Sequence, residues 1–322
     1  MESFNNSTLV DAQPLYSPRP LQFSLLLSIS IVSVPCFIFL LYHLLTTRAL
    51  YTALSNHVII LLLISNGIQT CTDVPILLSY YYTGIKWPPS ATFCVFSYFI
   101  DYYLFTTCFL LLTWASFERH ILIFHSGRYN TRLRRLVGHY MPLGFCCVYP
   151  LIYYLVFLVL YPCENTYDES IANCALPCYL VTSDFLTLYE QIAHGFALIL
   201  LVFIFNTLLL IRVWRQKHRM NLQITRSKNI RMMIQLLGIC FIFLATNGGF
   251  FLVQLGQLLW DPNFGVDAAA WIYPFSMWMP PCVAFVCLGT LPDVRKHLNH
   301  RIFRKCRRRM VAPGLATLTR TV

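Results

Sequence analysis

Seven long apolar stretches follow one another along the chain, separated by short polar segments. They cover roughly residues 22–45, 54–80, 93–124, 136–161, 186–213, 229–258 and 266–290. Because a helix needs about 20 apolar residues to cross a bilayer, each stretch is long enough to span one. The pattern predicts an all-α membrane protein, with a bundle of seven transmembrane helices over residues 21–291.

The composition agrees with a membrane protein and argues against the soluble classes. Of the 322 residues, 57% are hydrophobic and 11% are charged, whereas soluble domains carry about 25% charged residues. The net charge of +11 does not indicate a nucleic-acid partner, because the basic residues lie between apolar runs. No metalloprotease, serine-hydrolase or phosphate-loop motif occurs in the sequence, so neither an enzyme nor a cofactor is predicted.

The distribution of Lys and Arg predicts the orientation in the membrane. Basic residues crowd the loops after spans one, three and five and the segment after span seven, whereas the other side holds only Arg19 and Lys86. Because basic loops stay in the cytoplasm, we expect residues 1–20 outside the cell and residues 292–322 inside. Asn5 and Asn6 each begin an N-x-[ST] sequon, which predicts glycosylation of the outer tail.

Charged side chains inside apolar spans mark candidate functional positions. Span two holds Asp73, and span three holds Asp101 near its start and the pair Glu118–Arg119 near its end. A carboxylate in a bilayer needs a partner, water or a proton. Asp101 is therefore interpreted either as a ligand contact or as a structural acid that bonds to neighbouring tyrosines.

Spans two and three also carry residues at characteristic spacings. Arg119, in the run WASFERHILIFH, lies 25 residues after Cys94, and Trp87 lies seven residues before that cysteine. Asn56 and Asn66 lie ten residues apart in span two. In these positions the chain resembles the rhodopsin-like family of G-protein-coupled receptors. The family's tryptophan in span four, proline in span five and sequence motifs in spans six and seven are missing, which indicates a divergent, orphan-type member.

The resemblance implies a plasma-membrane receptor that binds an extracellular ligand, an amine or a peptide, and activates a heterotrimeric G protein. It implies an ion pair between Glu118 and Arg119, which with His120 forms the switch for the G protein. His125 and His139, also near the inner face, are interpreted as solvated or interfacial.

The ligand pocket and the polar core are assigned on the same basis. The candidate pocket residues are Asp101, Asp73, Tyr102 and Tyr273. Asn56 and Asn66 are assigned to the polar core of the bundle. Because Asn66 stands where the family has an acid that helps to bind sodium, sodium-dependent regulation is not expected.

The resemblance further implies that Cys94 bonds to a cysteine of the second outer loop. Cys163, Cys174 and Cys178 are the candidates. We expect Cys94–Cys178, because Cys178 is nearest to span five, and then Cys163–Cys174. The sequence leaves the other pairings open.

The segment after span seven, LPDVRKHLNHRIFRKCRRR, predicts a short amphipathic helix on the inner leaflet. Its basic residues are expected to contact anionic membrane lipid, and Cys306 is a candidate for palmitoylation. A plain basic tail is the alternative interpretation.

Two other functions remain open from the sequence. A seven-helix channel or transporter is disfavoured because the chain shows no internal repeat. A decoy-like membrane protein that does not signal is compatible with the missing motifs of spans six and seven.

Overall fold

The chain folds as a bundle of membrane-length helices. The computed structural model describes residues 19–84, 86, 88–124, 129–167, 174, 176–219, 227–261 and 263–290. Within these residues the secondary structure is helical and contains no strand. Six helices are long and apolar enough to cross a membrane, and Pro274–Thr290 is a shorter apolar helix. The predicted seven-helix bundle is confirmed.

The observed bounds extend the predicted spans by a few residues at most of the ends. Spans one to three are Arg19–Thr46, Leu54–Thr83 and Ala91–Phe124, span four covers Arg132–Val159, and span six is Ser227–Leu259. Span five consists of Asp184–Tyr189, Glu190–Phe196 and Ala197–Arg219, and span seven consists of Val266–Ser276 and Met279–Thr290.

Local sequence signals account for several helix ends. Span two ends at Gly84, whose φ of 81° is left-handed and whose N–H donates to the carbonyl of Tyr80 at 2.8 Å. Glycine adopts that conformation without the steric penalty of a side chain. Span four begins after Thr131, whose hydroxyl oxygen accepts from the N–H of Arg134 at 3.3 Å. These residues satisfy backbone groups that a helix end leaves unpaired.

Span seven is interrupted between its two segments. Met277 and Trp278 form a turn, and the N–H of Trp278 donates to the carbonyl of Phe275 at 3.2 Å. Pro280 and Pro281 follow directly. Proline removes a helical hydrogen bond and its ring clashes with the preceding turn, so the helix of span seven is broken at this point.

Span three is the central helix of the bundle. It packs against spans two, four, five and six. Phe109 is fully buried, and its ring centroid lies 4.1 Å from that of Phe243 and 5.5 Å from that of Phe251, both on span six. The aromatic core therefore joins spans three and six midway along the helices.

Three segments of spans four and five are π-helical. They are Leu136–Tyr140, Leu155–Val159 and Glu190–Phe196. A π-helical turn contains an extra residue, which rotates the following side chains and is often found at functional sites. Two of these segments carry His139 and the Glu190–His194 pair, which are described below.

Close packing at Gly195 gives a stability prediction. A Cβ atom at Gly195 would lie 2.3 Å from Cε1 of Phe251, whereas a Cβ atom at Gly248 would have nothing within 4 Å. We expect Gly195→Ala to lower the free energy of unfolding by about 1–3 kcal/mol through overpacking. Gly248→Ala, the matched control, should be neutral or stabilising because alanine favours helix. Thermal unfolding in nanodiscs measures both, and equal melting temperatures for the two variants would contradict this packing.

Candidate functional site

The loop between spans four and five is fixed by two disulfides. The end of the bundle beside this loop is called outer, and the opposite end inner, after the orientation expected from the sequence. They join Cys94 to Cys174 and Cys163 to Cys178. The four predicted cysteines are paired, but the expected pairing Cys94–Cys178 with Cys163–Cys174 is wrong.

The disulfide pairing is determined by the path of the loop and not by the distance of each cysteine along the chain from span five. The N–H of Cys178 donates to Oδ1 of Asn165 at 2.8 Å, which holds Cys178 beside the early part of the loop. Cys174 is fully buried against the outer end of span three.

Aromatic side chains hold this loop against the outer ends of spans three and four. Tyr179 is 0% exposed, and its ring lies 6.3 Å from that of Phe157 on span four. Tyr167 stacks on Tyr98 of span three with 6.1 Å between the ring centroids. The loop is therefore packed over the bundle.

Two carboxylates lie between spans two and three in the outer half of the bundle. Asp101 is partly buried and accepts a hydrogen bond from Nε2 of Gln69 at 3.2 Å. Asp73 is 9% exposed, and neither of its carboxylate oxygens has a hydrogen-bond partner. The two carboxylates are close enough to repel each other electrostatically when both are ionised. They therefore form one site with unsatisfied hydrogen-bonding capacity.

Lys86 from the first outer loop belongs to the same site. Its side chain is 8% exposed, its Nζ donates to Oγ of Ser97 at 3.0 Å, and it lies 5.7 Å from the ring centroid of Tyr98. Burial lowers the pKa of the Lys86 ammonium, whereas the charges of Asp101 and Asp73 raise it. In the sequence Lys86 indicates only the topology, and its burial in this site was not predicted.

Among the described residues, Tyr102 does not bond to Asp101. Tyr102 instead packs its ring against Tyr98 at 5.5 Å and Tyr154 at 5.6 Å. Tyr273 lies in the first segment of span seven, and its side chain falls outside the described residues.

A second polar cluster lies between spans three, four and five. The hydroxyl of Tyr154 donates to Oε1 of Glu190, and Nδ1 of His194 lies 3.1 Å from Oε2 of the same carboxylate. The hydroxyl of Tyr149 lies 2.7 Å from Nε2 of His194 and 2.7 Å from the hydroxyl of Tyr189. This cluster was not predicted from the sequence, although an acid and a histidine four residues apart inside an apolar span are a signal for it.

Asn66 and Asn56, the two residues assigned to the polar core, donate mainly to backbone carbonyls that are close to them in sequence. Nδ2 of Asn66 donates to the carbonyl of Leu62 at 2.7 Å and lies 3.4 Å from Sγ of Cys108. Nδ2 of Asn56 donates to the carbonyl of Leu50 at 3.0 Å.

In the described residues no group of three or more His, Cys, Asp or Glu side chains could hold a metal ion.

At the other end of span three, Glu118 and Arg119 have separate partners. Oε1 of Glu118 bonds to Nδ1 of His139 on span four. Nη2 of Arg119 donates to the carbonyl of Ser55 on span two at 3.1 Å. No ion pair joins Glu118 to Arg119 among the described residues, so that expectation is wrong. His139, and not Arg119, is the partner of Glu118. Because His139 is 0% exposed, its interpretation as solvated is also wrong.

His57 of span two extends this arrangement. Its Nδ1 lies 2.9 Å from Nε2 of His139, and its Nε2 lies 2.9 Å from the carbonyl oxygen of Tyr51. Nε2 of His120 bonds separately to the carbonyl oxygen of Phe205 on span five at 2.8 Å. Span three is therefore tied to spans two, four and five at this end.

The family model described as "7 transmembrane receptor (rhodopsin family)" matches residues 23–286 of the chain. The chain belongs to the rhodopsin family of seven-transmembrane receptors. Among solved structures, the crystal structure of squid rhodopsin is similar, with a TM-score of 0.69, 16% sequence identity and coverage of 89% of this chain and 82% of that chain. At that identity the likeness shows the fold alone. A comparison with curated proteins finds no match.

A further hydrogen-bonded group ties spans three, five and six of the receptor together. Nδ2 of Asn206 donates to Oγ of Ser116 at 2.9 Å and lies 3.3 Å from Sγ of Cys240. Ser116 is 0% exposed and Cys240 is 2% exposed. Because Ser116 precedes Arg119 by less than one helical turn, span six is held close to the arginine.

Several sequence-based assignments fall on residues whose structure is not described. Asn5, Asn6 and Trp87 lie outside the described residues, as do Cys306 and the whole segment from residue 291 onward. Glycosylation, palmitoylation and the amphipathic helix of the receptor therefore stay predictions.

The corrected disulfide pairing can be tested directly. Peptide mapping without reduction should recover Cys94 linked to Cys174 and Cys163 linked to Cys178. Removing a native disulfide lowers stability by about 2–5 kcal/mol, more for a longer closed loop. The sequence separations are 80 and 15 residues, so Cys94→Ser/Cys174→Ser should lower the melting temperature more than Cys163→Ser/Cys178→Ser. Recovery of a Cys94–Cys178 peptide would contradict the structure.

Proposed function

We propose that this receptor lies in the plasma membrane with its N-terminus outside, binds an extracellular amine or peptide, and activates a heterotrimeric G protein. Membership of the rhodopsin family supports a receptor function in general. Glu118, Arg119 and His120 form the switch for the G protein. Asp101 and Asp73, with Tyr102 and Tyr273, contact the ligand.

The observation that carries this proposal is the state of Arg119. Its side chain is 4% exposed and is bound to the carbonyl of Ser55. A guanidinium carries five N–H donors, so burial of this group against one carbonyl is an arrangement that a competing partner can replace. Because Arg119 is closed off from the cytoplasm and span six is held near it, we take the described arrangement to be the resting state.

Activation is then a shift between two arrangements of the same helices. A ligand shifts the equilibrium only by its difference in affinity between the two states. In the active arrangement span six moves away from span three, which breaks the contacts of Cys240 with Asn206 and Ser116 and uncovers Arg119 for the G protein.

The charges of the outer site support a cationic ligand group. Two carboxylates, Asp73 and Asp101, face one ammonium, that of Lys86, so one negative charge is unmatched when all three groups are ionised. Asp73 also has two oxygens without a hydrogen bond. An ammonium group, from an amine or from the N-terminus of a peptide, would supply both the charge and the donors.

Substitutions of Asp101 and Arg119 test the two ends of this proposal. Asp101→Asn should reduce the potency of an amine or peptide agonist by about tenfold to a hundredfold, since a charged hydrogen bond contributes about 1.5–3 kcal/mol. Arg119→Ala should lower agonist-driven nucleotide exchange by at least about tenfold, because a buried interface arginine commonly contributes 2 kcal/mol or more. Exchange on purified G proteins and agonist binding are measured in nanodiscs.

Asp184→Asn and Arg212→Ala are the matched controls. Asp184 begins span five, and the Arg212 guanidinium lies 5.5 Å from the ring of Phe124 on the bundle surface. Both should behave as wild type. Ion currents in the absence of G protein would favour the channel, and silence with every G protein and ligand panel would favour the decoy.

A further inference from the structure

We propose that His57, His139 and Glu118 form a proton-binding latch, which holds spans two, three and four of the receptor in the resting arrangement and is released by loss of one proton. The functional consequence rests on the proposed coupling to a G protein. The latch itself rests on the hydrogen-bond geometry of the three side chains.

The three residues form a continuous chain of hydrogen bonds. It starts at the carbonyl oxygen of Tyr51, passes through both nitrogens of His57 at 2.9 Å on each side, and continues through His139 to Glu118. The two histidines are 82 residues apart in sequence and Glu118 is 21 residues from His139. This chain of hydrogen bonds therefore connects spans two, three and four.

Each hydrogen bond needs one proton, which fixes the proton count of the chain. The carbonyl oxygen of Tyr51 can only accept, so Nε2 of His57 carries hydrogen and Nδ1 of a neutral His57 would be a lone pair. An ionised Glu118 can only accept, so Nδ1 of His139 carries hydrogen and Nε2 of a neutral His139 would also be a lone pair. Two lone pairs facing each other at 2.9 Å would repel.

Two neutral imidazoles and an ionised carboxylate together supply one proton too few for these hydrogen bonds. The hydrogen-bond chain therefore holds one additional proton. Either one imidazole is an imidazolium beside ionised Glu118, or Glu118 is protonated and both imidazoles are neutral. In both cases the three side chains carry no net charge. This neutrality suits the burial of His139 at 0% and Glu118 at 2% exposure, because an unpaired charge there is strongly disfavoured.

Loss of that proton would break the chain at its centre. The His57–His139 bond would be replaced by repulsion between two acceptors, and the buried cluster would become negative. His57 is only partly buried, so the proton has a route to the membrane surface. Spans two and four would then separate at this end, which destabilises the resting arrangement.

The surroundings contain few other groups that could hold or repel this proton. On span two Ser55 binds Arg119, and on span three Arg119 adjoins Glu118. The Tyr140 ring of span four lies 4.9 Å from that of His139 and 5.7 Å from that of His57, and the Tyr51 ring lies 6.2 Å from His57. Arg119 is the one permanent charge among these described neighbours, and its positive charge disfavours a second extra proton.

The test measures both the stability and the basal activity of the receptor in nanodiscs as a function of pH. Conditions run from about pH 5.5 to about pH 8.5, a range that includes the ordinary protonation change of a histidine side chain. For the wild type we expect a falling melting temperature and a basal nucleotide-exchange rate that rises by at least about fivefold as pH increases. Exchange is normalised to that of the G protein alone at each pH.

Three variants separate a proton latch from ordinary packing. His139→Phe removes the centre of the chain, so basal exchange should be high at every pH and the melting temperature should lose its pH slope. His57→Phe should act in the same direction. In Glu118→Gln the side-chain amide can donate to His139 without the additional proton. The hydrogen-bond chain then persists with two neutral imidazoles, so the pH slope of the melting temperature should disappear.

His43→Gln is the matched control. His43 lies at the end of span one, where its Nε2 has no hydrogen-bond partner, and its substitution should leave the pH slope of the wild type. If Glu118→Gln or His139→Phe keeps that slope, the latch is wrong. If the melting temperature shows the predicted slopes but no G protein responds under any condition, the latch stands and the proposed function fails.

Discussion

The structure depends on one constraint, which is that ionisable groups inside the membrane-length helices must find partners within the bundle. Span three carries such groups near both ends. On span two, Gln69 donates a hydrogen bond to Asp101, and the carbonyl of Ser55 accepts one from Arg119. His139 of span four bonds to Glu118. Because no lipid chain can provide these bonds, the positions of spans two and four beside span three follow from them.

The two ends of span three meet this constraint to different degrees. At the inner end the hydrogen bonds of Glu118 and Arg119 are made within the protein. At the outer end Asp73 has two unbonded carboxylate oxygens. Unmade hydrogen bonds in a partly dry site are a source of binding free energy for a ligand that can make them, which is why the proposed ligand site lies at the outer end and the proposed latch at the inner end.

Hydropathy and the spacing of Cys94 and Arg119 were sufficient to predict the bundle and its family, because both depend on residue type and chain distance. Side-chain pairing between distant spans was not predictable in this way. The family resemblance implied that Glu118 pairs with Arg119, whereas the π-helical turn of span four brings His139 to Glu118. Chain distance likewise suggested the wrong partner for Cys94, because the outer loop folds back on itself before span five. Lys86 and Glu190 were visible as charges, but their burial depends on the tertiary fold.

The missing motif of span six does not leave this helix unconnected to span three. Phe243 and Phe251 of span six pack on Phe109, which lies between the outer carboxylates and the inner latch. About two turns further along span three, Sγ of Cys240 lies 3.7 Å from Oγ of Ser116, and Asn206 bonds to both side chains. Close-packed aromatic rings resist small continuous displacements and change position in discrete steps. A rotation of span three that satisfies Asp73 and Asp101 around a ligand would therefore move Phe109 against span six, and the same rotation would pull Glu118 from His139. Asp101 of the proposed ligand site, Phe109 of the aromatic core and Glu118 of the proposed latch lie on one helix, so a single movement of that helix is enough to couple them.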